Sequence, residues 1–170
     1  MIFKNFLNIK NSQLIKKDFT NLLTDQPSLF KTLKPTYKYS YSKKTISKYK
    51  KFSNIRIIGM GGSILGTEAI YSFFKKKIKK KIIFANNLNS NAEYFKDKNI
   101  NLNLIVSKSG NTLETIVNAN TLIKNKDSNI IITENKDSYL TNLASKLKAE
   151  IFEHKNYVGG RYSVLSEVGM

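Results

Sequence analysis

The sequence predicts an α/β fold: a doubly wound, five-stranded parallel sheet with a helical N-terminal lead-in. Short apolar runs recur along the chain with helical patterns between them, and strands that alternate with helices require parallel crossovers. The runs are continuously apolar, which is typical of strands covered on both faces. The predicted strands are Ile55–Ile58, Lys81–Ala85, Leu102–Val106, Asn129–Thr133 and Glu150–Phe152.

A helical pattern follows each of the first four strands. The helix after the fourth strand begins near Ser138, which is a good N-cap residue. Its apolar stripe of Leu140, Leu143, Ala144 and Leu147 follows the i, i+3, i+4, i+7 spacing of an amphipathic helix. The other predicted helices are Ile64–Phe74, a weaker one at Asn91–Lys98, and one at Thr112–Lys124.

The first 50 residues differ from the rest of the chain. Their apolar residues form a helical stripe, which Pro27 and Pro35 interrupt. Because so short a segment buries too little surface to be stable alone, we expect a helical layer packed on the sheet. The expected division is a lead-in over residues 1–50 and a sheet domain over residues 51–170. The stripe consists of Leu14, Ile15, Phe19, Leu22 and Leu23.

The composition argues against several kinds of site. The 170 residues include no cysteine and one histidine, His154, which excludes disulfides and cysteine zinc sites and leaves no histidine pair for a metal. Cysteine usage and the lack of a long apolar run favour a cytoplasmic protein without a membrane span. The net charge is +17, but Arg56 and Arg161 are the only arginines among 29 basic residues. This lysine excess indicates compositional drift rather than a nucleic-acid interface.

Glycine occurs at three places, and each lies at the boundary of an apolar segment. Glycine permits positive φ and close approach of the backbone to a ligand, so these places form the candidate site. Ligands of open parallel sheets bind beyond the carboxyl ends of the strands, where the strand order reverses. For a 2-1-3-4-5 order that point lies between strands one and three, where the first two glycine segments fall. The glycines are Gly59, Gly61, Gly62 and Gly66, then Gly110, then Gly159, Gly160 and Gly169.

The first segment, Gly59–Thr67, nearly matches two phosphate-binding motifs. A dinucleotide fingerprint would need glycine in place of Ile64 and an acidic residue after the second strand, which the sequence lacks. A P-loop would need lysine in place of Thr67. A nucleotide ligand is therefore not expected. A modest anion site remains, formed by backbone N–H groups and the Ser63 hydroxyl at a helix start.

The second segment, Ser107–Glu114, offers three hydroxyls within six residues, on Ser107, Ser109 and Thr112. It leads into a helix whose entry at Asn111 is similar to a capping box. Hydroxyls and helix N-terminal amides suit one phosphate monoester. The alternative is an ordinary strand-to-helix turn in which these side chains only cap the helix. Two such segments at one switch point favour a small phosphorylated ligand.

The third segment, Val158–Ser163, places Arg161 directly after two glycines. A sharply bent backbone can bring this planar cation close to a ligand, where it would stabilise an oxyanion or an enediolate. The alternative is a surface arginine in a tight turn.

Together the three segments resemble signature sequences of the glucose-6-phosphate isomerase family. Gly59–Gly66 is similar to the family's first loop and Ser107–Thr115 to its phosphate loop, and both loops also occur in the wider sugar isomerase (SIS) superfamily. Val158–Ser166 is similar to the family's Val-Gly-Gly-Arg-Phe-Ser segment, which is the most specific of the three. The resemblance covers about residues 50–170 and implies a flavodoxin-like SIS domain.

The resemblance implies an aldose–ketose isomerase that converts glucose 6-phosphate to fructose 6-phosphate through a cis-enediol, without a cofactor or metal. Arg161 would stabilise the charge that develops as the proton moves between C1 and C2. A cytoplasmic homodimer acting in glycolysis and gluconeogenesis would follow. The substrate-binding residues would be Gly62, Ser63, Ser107, Lys108 through its backbone, Ser109 and Thr112.

In the family, the general base, a histidine and a lysine that assist ring opening, and a second SIS domain lie downstream of the arginine segment. Since the sequence ends at Met170, we expect the N-terminal part of an isomerase, which binds but does not catalyse on its own. Two alternatives stay open. One is a bifunctional phosphoglucose/phosphomannose isomerase, and the other is a stand-alone SIS domain that acts as a non-catalytic sugar-phosphate sensor.

Overall fold

The computed structural model shows two compact units, Met1–Tyr37 and Lys38–Met170. The first unit contains helix α1 (Ser12–Asp25), which confirms the helix predicted in the lead-in, and a short 3₁₀ helix (Ser28–Leu33). The second unit contains the sheet. Packing of the lead-in as a layer on the sheet stays a prediction. The residues described are 12–25, 28–88 and 102–169.

Five parallel strands form one sheet in the order β2-β1-β3-β4-β5. In β1, Ile57 lies opposite Phe84 of β2 on one side and opposite Leu104 of β3 on the other. Each predicted strand is confirmed, and its ends agree within one residue. The strands are β1 (Asn54–Gly59), β2 (Lys81–Ala85), β3 (Leu102–Val106), β4 (Ser128–Thr133) and β5 (Glu150–Glu153).

The helices after β1, β3 and β4 are also confirmed. Ser138 caps the last of them as predicted: its hydroxyl accepts a hydrogen bond from the N–H of Thr141, and the Thr141 hydroxyl accepts one from the N–H of Ser138. The helix expected at Asn91–Lys98 lies outside the described residues. No helix in the described part of the chain is both long and apolar enough to span a bilayer. The helices of the second unit are α2 (Lys43–Tyr49), α3 (Leu65–Phe74), α4 (Leu113–Leu122) and α5 (Tyr139–Leu147).

The second unit begins at Lys38, upstream of the division expected at residue 50. The intervening segment contacts the sheet domain through side chains and backbone. The Tyr41 ring packs on Phe152 of β5 with a centroid distance of 5.9 Å, and the N–H of Ser40 donates to Glu167 Oε1 at 3.1 Å. These contacts explain why α2 belongs with the sheet.

Apolar side chains cover both faces of the sheet, in agreement with the continuously apolar strands. Successive residues of a strand point to opposite faces, so Ile57 and Ile58 of β1 enter different clusters. Burying one such isoleucine stabilises the fold by about 1.5–3 kcal/mol. The cluster against α4 and α5 consists of Ile58, Ala85, Ile105, Ala119, Leu122, Ile131, Leu140 and Ala144, and the opposite cluster of Ile57, Ile64, Val106, Ile132 and Val168.

A buried polar cluster lies among these strands, near the amino ends of β1, β3 and β4. Arg56 is 1% exposed; its Nη1 donates to Asn103 Oδ1 at 3.1 Å and to the Leu122 carbonyl at 2.8 Å, and lies 3.8 Å from Asp127 Oδ2. Asn103 Nδ2 donates to Asp127 Oδ2 and to Asn129 Oδ1. Buried charges are tolerated only when paired and hydrogen-bonded. One of the two arginines therefore has a structural role.

We expect Asn103→Ala to lower the free energy of unfolding by about 2–4 kcal/mol, because it removes the buried hydrogen bonds that Asn103 makes to Arg56, Asp127 and Asn129. Urea unfolding measures this change. Asn142→Ala removes an exposed amide on α5 and, as the control, should change stability by less than about 0.5 kcal/mol. Equal effects of the two variants would contradict a structural role for the buried cluster.

Candidate functional site

A cavity of about 560 Å³ opens beyond the carboxyl ends of β1, β3 and β4. It lies where the strand order reverses between β1 and β3, the usual ligand position in open parallel sheets. Six of the seven site residues predicted from the sequence line it, and the seventh, Ser107, is buried in contact with two of them. The lining residues are Met60, Gly62, Ser63, Lys108, Ser109, Thr112, Glu134, Lys136, Gly160 and Arg161.

The turn after β1 forms a short 3₁₀ helix, Gly61–Ser63, before α3 begins. A Cβ atom at Gly62 would lie 2.2 Å from the carbonyl oxygen of Gly160 and 2.7 Å from Cα of Arg161. Only glycine allows two backbones to approach so closely. The turn after β1 and the segment that contains Arg161 therefore form one continuous wall of the cavity.

The turn after β3 brings three hydroxyls together. Ser107 Oγ lies 2.9 Å from Thr112 Oγ1 and 3.4 Å from Ser109 Oγ, and the hydroxyl oxygens of Ser109 and Thr112 are 3.4 Å apart. Gly110 has a φ of +70°, and its N–H donates to Ser107 Oγ at 3.2 Å. Each hydroxyl can rotate its hydrogen to suit a partner, so the three can donate to oxygens of one tetrahedral anion.

The capping box predicted at the start of α4 is wrong. Thr112 is the N-cap residue and makes no side-chain cap hydrogen bond. Asn111 Oδ1 instead accepts a hydrogen bond of 2.8 Å from the N–H of Tyr139 at the start of α5. A hydrogen bond between the residue before the α4 N-cap and the start of α5 thus replaces the expected local cap. The first-turn amides of α4 lie beside the cavity without a side-chain cap, and such amides favour an anion.

Glu134 and Lys136 follow β4 and line the cavity, although no motif recognised in the sequence contains them. Glu134 Oε2 lies 2.5 Å from Lys136 Nζ, and Glu134 Oε1 lies 3.5 Å from Lys108 Nζ. The hydrogen bond from Lys136, together with the charges of both lysines, holds the pKa of Glu134 below its ordinary value. Their position directly after a strand next to the switch point is the signal by which the sequence could have identified them.

Positive charge exceeds negative charge around the cavity. Three cations, on Lys108, Lys136 and Arg161, face a single carboxylate among the described lining residues. The Lys108 side chain also donates to the carbonyl of Asn156 at 2.8 Å, whereas the resemblance implied a role for its backbone. An excess of cations in a cleft attracts an anionic ligand.

Arg161 lies in the 3₁₀ helix Gly160–Leu165, and its side chain is exposed at the cavity. Within the described ranges its guanidinium has no hydrogen-bond or ion-pair partner, so it is available to a ligand. Across the same ranges, no three His, Asp or Glu side chains gather as a metal site would require.

The fold and the cavity define a class of protein: a flavodoxin-like α/β domain with a cationic, hydroxyl-lined cavity at its switch point. A family model described as phosphoglucose isomerase matches residues 7–170 of this chain. The chain belongs to the phosphoglucose isomerase family.

Individual relatives agree with this assignment. A Borreliella afzelii (strain PKo) protein named glucose-6-phosphate isomerase is 38% identical over 138 residues, which cover 71% of this chain and 26% of the relative. The chain therefore spans about a quarter of that relative's length.

Two solved structures share the fold. A hypothetical protein of Thermus thermophilus superposes with a TM-score of 0.73 at 20% identity, over 94% of this chain and 43% of its own. The NanR protein of Vibrio vulnificus, complexed with ManNAc-6P, superposes with a TM-score of 0.56 at 23% identity, over 94% of this chain and 59% of its own. The expected doubly wound parallel sheet is thus confirmed.

We expect Gly62→Ala to lower the thermal unfolding temperature, because the added Cβ forces apart the two backbones of the cavity wall at a cost of about 1–3 kcal/mol. Gly160→Ala is the matched control: its Cβ would meet no atom within 4 Å, so its unfolding temperature should stay close to that of the native chain. Calorimetry compares the two. Equal stability of both variants would contradict the close contact at Gly62.

The ion pairs of Glu134 predict a pH-dependent contribution to stability. Because its folded pKa is lowered, this contribution is present above the ordinary value of 4.5 and is lost as the pH falls through the lowered pKa. We therefore expect Glu134→Gln to have a lower melting temperature than the native chain at neutral pH. The difference in melting temperature should disappear in acid. Melting curves across this range measure it, with Glu114→Gln outside the cavity as the control. A difference in melting temperature that persists in acid would contradict a stabilising contribution from these ion pairs.

Proposed function

We propose that this chain forms the sugar-phosphate-binding part of a glucose-6-phosphate isomerase, which interconverts glucose 6-phosphate and fructose 6-phosphate through a cis-enediol. Family membership supports the proposal. The observation that carries it is the cavity in which a cluster of three hydroxyls meets an available arginine. The working enzyme is proposed to be a cytoplasmic homodimer.

The hydroxyls of Ser107, Ser109 and Thr112 are assigned to the phosphate. They lie within 3.4 Å of one another, so one phosphate group can accept hydrogen bonds from all three. The uncapped amides at the start of α4 add further donors. Neutral donors with fixed positions orient the phosphate, and the charges of Lys108 and Lys136 raise its local concentration.

Arg161 is assigned to the sugar rather than to the phosphate. As a proton moves between C1 and C2, negative charge develops on the neighbouring oxygens. A planar guanidinium placed beside them stabilises this charge in the transition state. The contact of Gly62 with the Gly160 carbonyl sets the position of the Arg161 backbone, and Ser63 lies next to this contact. We assign Gly62 and Ser63 to the approach of the sugar.

Isomerisation also requires a base, and a base works best with a pKa near the working pH. The carboxylate in the described lining is Glu134, whose pKa is lowered by Lys136 and Lys108. A carboxylate held in two ion pairs is a weak base. We therefore assign the base to the region of the full-length enzyme downstream of the arginine segment, as the family resemblance implies.

Binding of fructose 6-phosphate tests the assignment of the hydroxyls. We expect Ser109→Ala and Thr112→Val each to weaken binding about tenfold, because each removes a hydrogen bond to a charged group. Isothermal titration calorimetry at fixed salt measures the affinity. Thr121→Ala removes an exposed hydroxyl elsewhere on α4 and serves as the control. Unchanged affinity in both cavity variants would refute the phosphate site.

A non-catalytic sugar-phosphate sensor is the second candidate. The ion-paired state of Glu134 favours it, since binding needs no base. A fold neighbour complexed with ManNAc-6P is compatible with it. The two candidates differ in turnover: the full-length gene product interconverts glucose 6-phosphate and fructose 6-phosphate if it is the isomerase, and only binds them if it is a sensor. Residues 1–170 alone should bind without turnover.

A further inference from the structure

His154 is the only histidine in the chain and lies directly after β5, with none of its surface exposed. Its backbone N–H donates to the carbonyl of Thr133 at the end of β4, at 2.8 Å. Its ring lies between two polar groups. Nδ1 is 3.1 Å from the carbonyl oxygen of Lys155, and Nε2 is 3.0 Å from Ser163 Oγ.

Ser163 connects this ring to the cavity wall. Its hydroxyl oxygen lies 2.7 Å from the carbonyl oxygen of Gly160. Gly160 and Arg161 line the cavity, and the same Gly160 carbonyl faces the turn at Gly62. A chain of contacts therefore runs from the buried ring through one hydroxyl to the backbone that presents the arginine.

These three contacts need more hydrogens than a neutral ring provides. Both carbonyls can only accept, while a neutral imidazole has one N–H and Ser163 has one O–H. With the ring hydrogen on Nδ1, Ser163 must donate to Nε2 and loses its bond to Gly160. With the ring hydrogen on Nε2, the lone pair of Nδ1 faces the Lys155 carbonyl. Only the doubly protonated ring forms all three hydrogen bonds.

We propose that His154 is a proton-linked positioning residue, whose protonation directs the Ser163 hydroxyl to the Gly160 carbonyl and so sets the Arg161 backbone for an anionic sugar phosphate. The nature of the ligand rests on the function proposed above. The coupling between the ring and the cavity wall rests only on the contacts of His154 and Ser163.

The groups around the ring shift its pKa in opposite directions. Burial is the largest effect, and the pKa of His154 is lowered from its ordinary value of 6.5; the charge of Lys108 adds to the lowering, whereas the Lys155 carbonyl and the carboxylates of Glu167 and Glu134 act against it. A phosphate dianion in the cavity adds negative charge and raises this pKa. By linkage, binding takes up a proton, and affinity increases as the pH falls through the pKa of His154.

The first experiment needs no ligand. Because the chain has one histidine, the ring ¹⁵N resonances of labelled protein belong to His154 without assignment. The amide nitrogen of Arg161 shares a peptide group with the Gly160 carbonyl. We expect this amide to titrate with the same midpoint as the ring in the native chain, and not to follow the ring in Ser163→Ala. An Arg161 amide that stays constant while the ring titrates, or a ring that never titrates in the folded protein, would overturn the proposal.

The second experiment adds fructose 6-phosphate. Saturation should raise the titration midpoint of His154, and the affinity gained between neutral and mildly acid pH should be at least about threefold larger in the native chain than in His154→Gln. The titration of the ligand's own phosphate affects both proteins equally. The inference would be overturned if binding showed the same pH dependence in the native chain and in His154→Gln. Absence of binding in both would refute the proposed function, while the ligand-free titration still decides the role of His154.

Discussion

The contact between the turn at Gly62 and the carbonyl of Gly160 is the constraint on which the cavity depends. Parallel β1 and β3 are neighbours, so the turns that follow them already lie side by side at the carboxyl ends of the strands. The segment with Arg161 follows β5 at the far edge and must return across β4 and β3. It completes the cavity because two backbones approach with no side chain between them. Loss of this contact would separate Arg161 from the hydroxyls.

The cavity separates the groups that orient a ligand from those that attract it. The neutral hydroxyls are held within hydrogen-bond distance of one another and orient the ligand, whereas Lys108, Lys136 and Arg161 attract it by their positive charge. Glu134 holds the two lysines at the wall, and the same ion pairs lower its pKa and make it a weak base. The described cavity therefore favours the binding of an anion and the stabilisation of charge over proton abstraction.

Much of the fold could be predicted because strands and helices depend on local patterns. The apolar runs located all five strands within one residue, and the glycine and hydroxyl clusters located the three segments that meet at the cavity. Glu134 and Lys136 were missed because they belong to no motif. The cap assigned to Asn111 was wrong because its side chain bonds to Tyr139, which lies 28 residues away.

Local patterns in the sequence were enough to locate the strands and the loops that contain hydroxyls, glycines and Arg161, since such patterns depend on the spacing of near neighbours. Which of these groups contact one another depends instead on the fold as a whole. Arg56 is buried beside Asn103 and Asp127, and His154 lies against Ser163 behind the cavity wall. Such contacts join residues on different elements, and they follow from strand order and packing distances that no local pattern encodes.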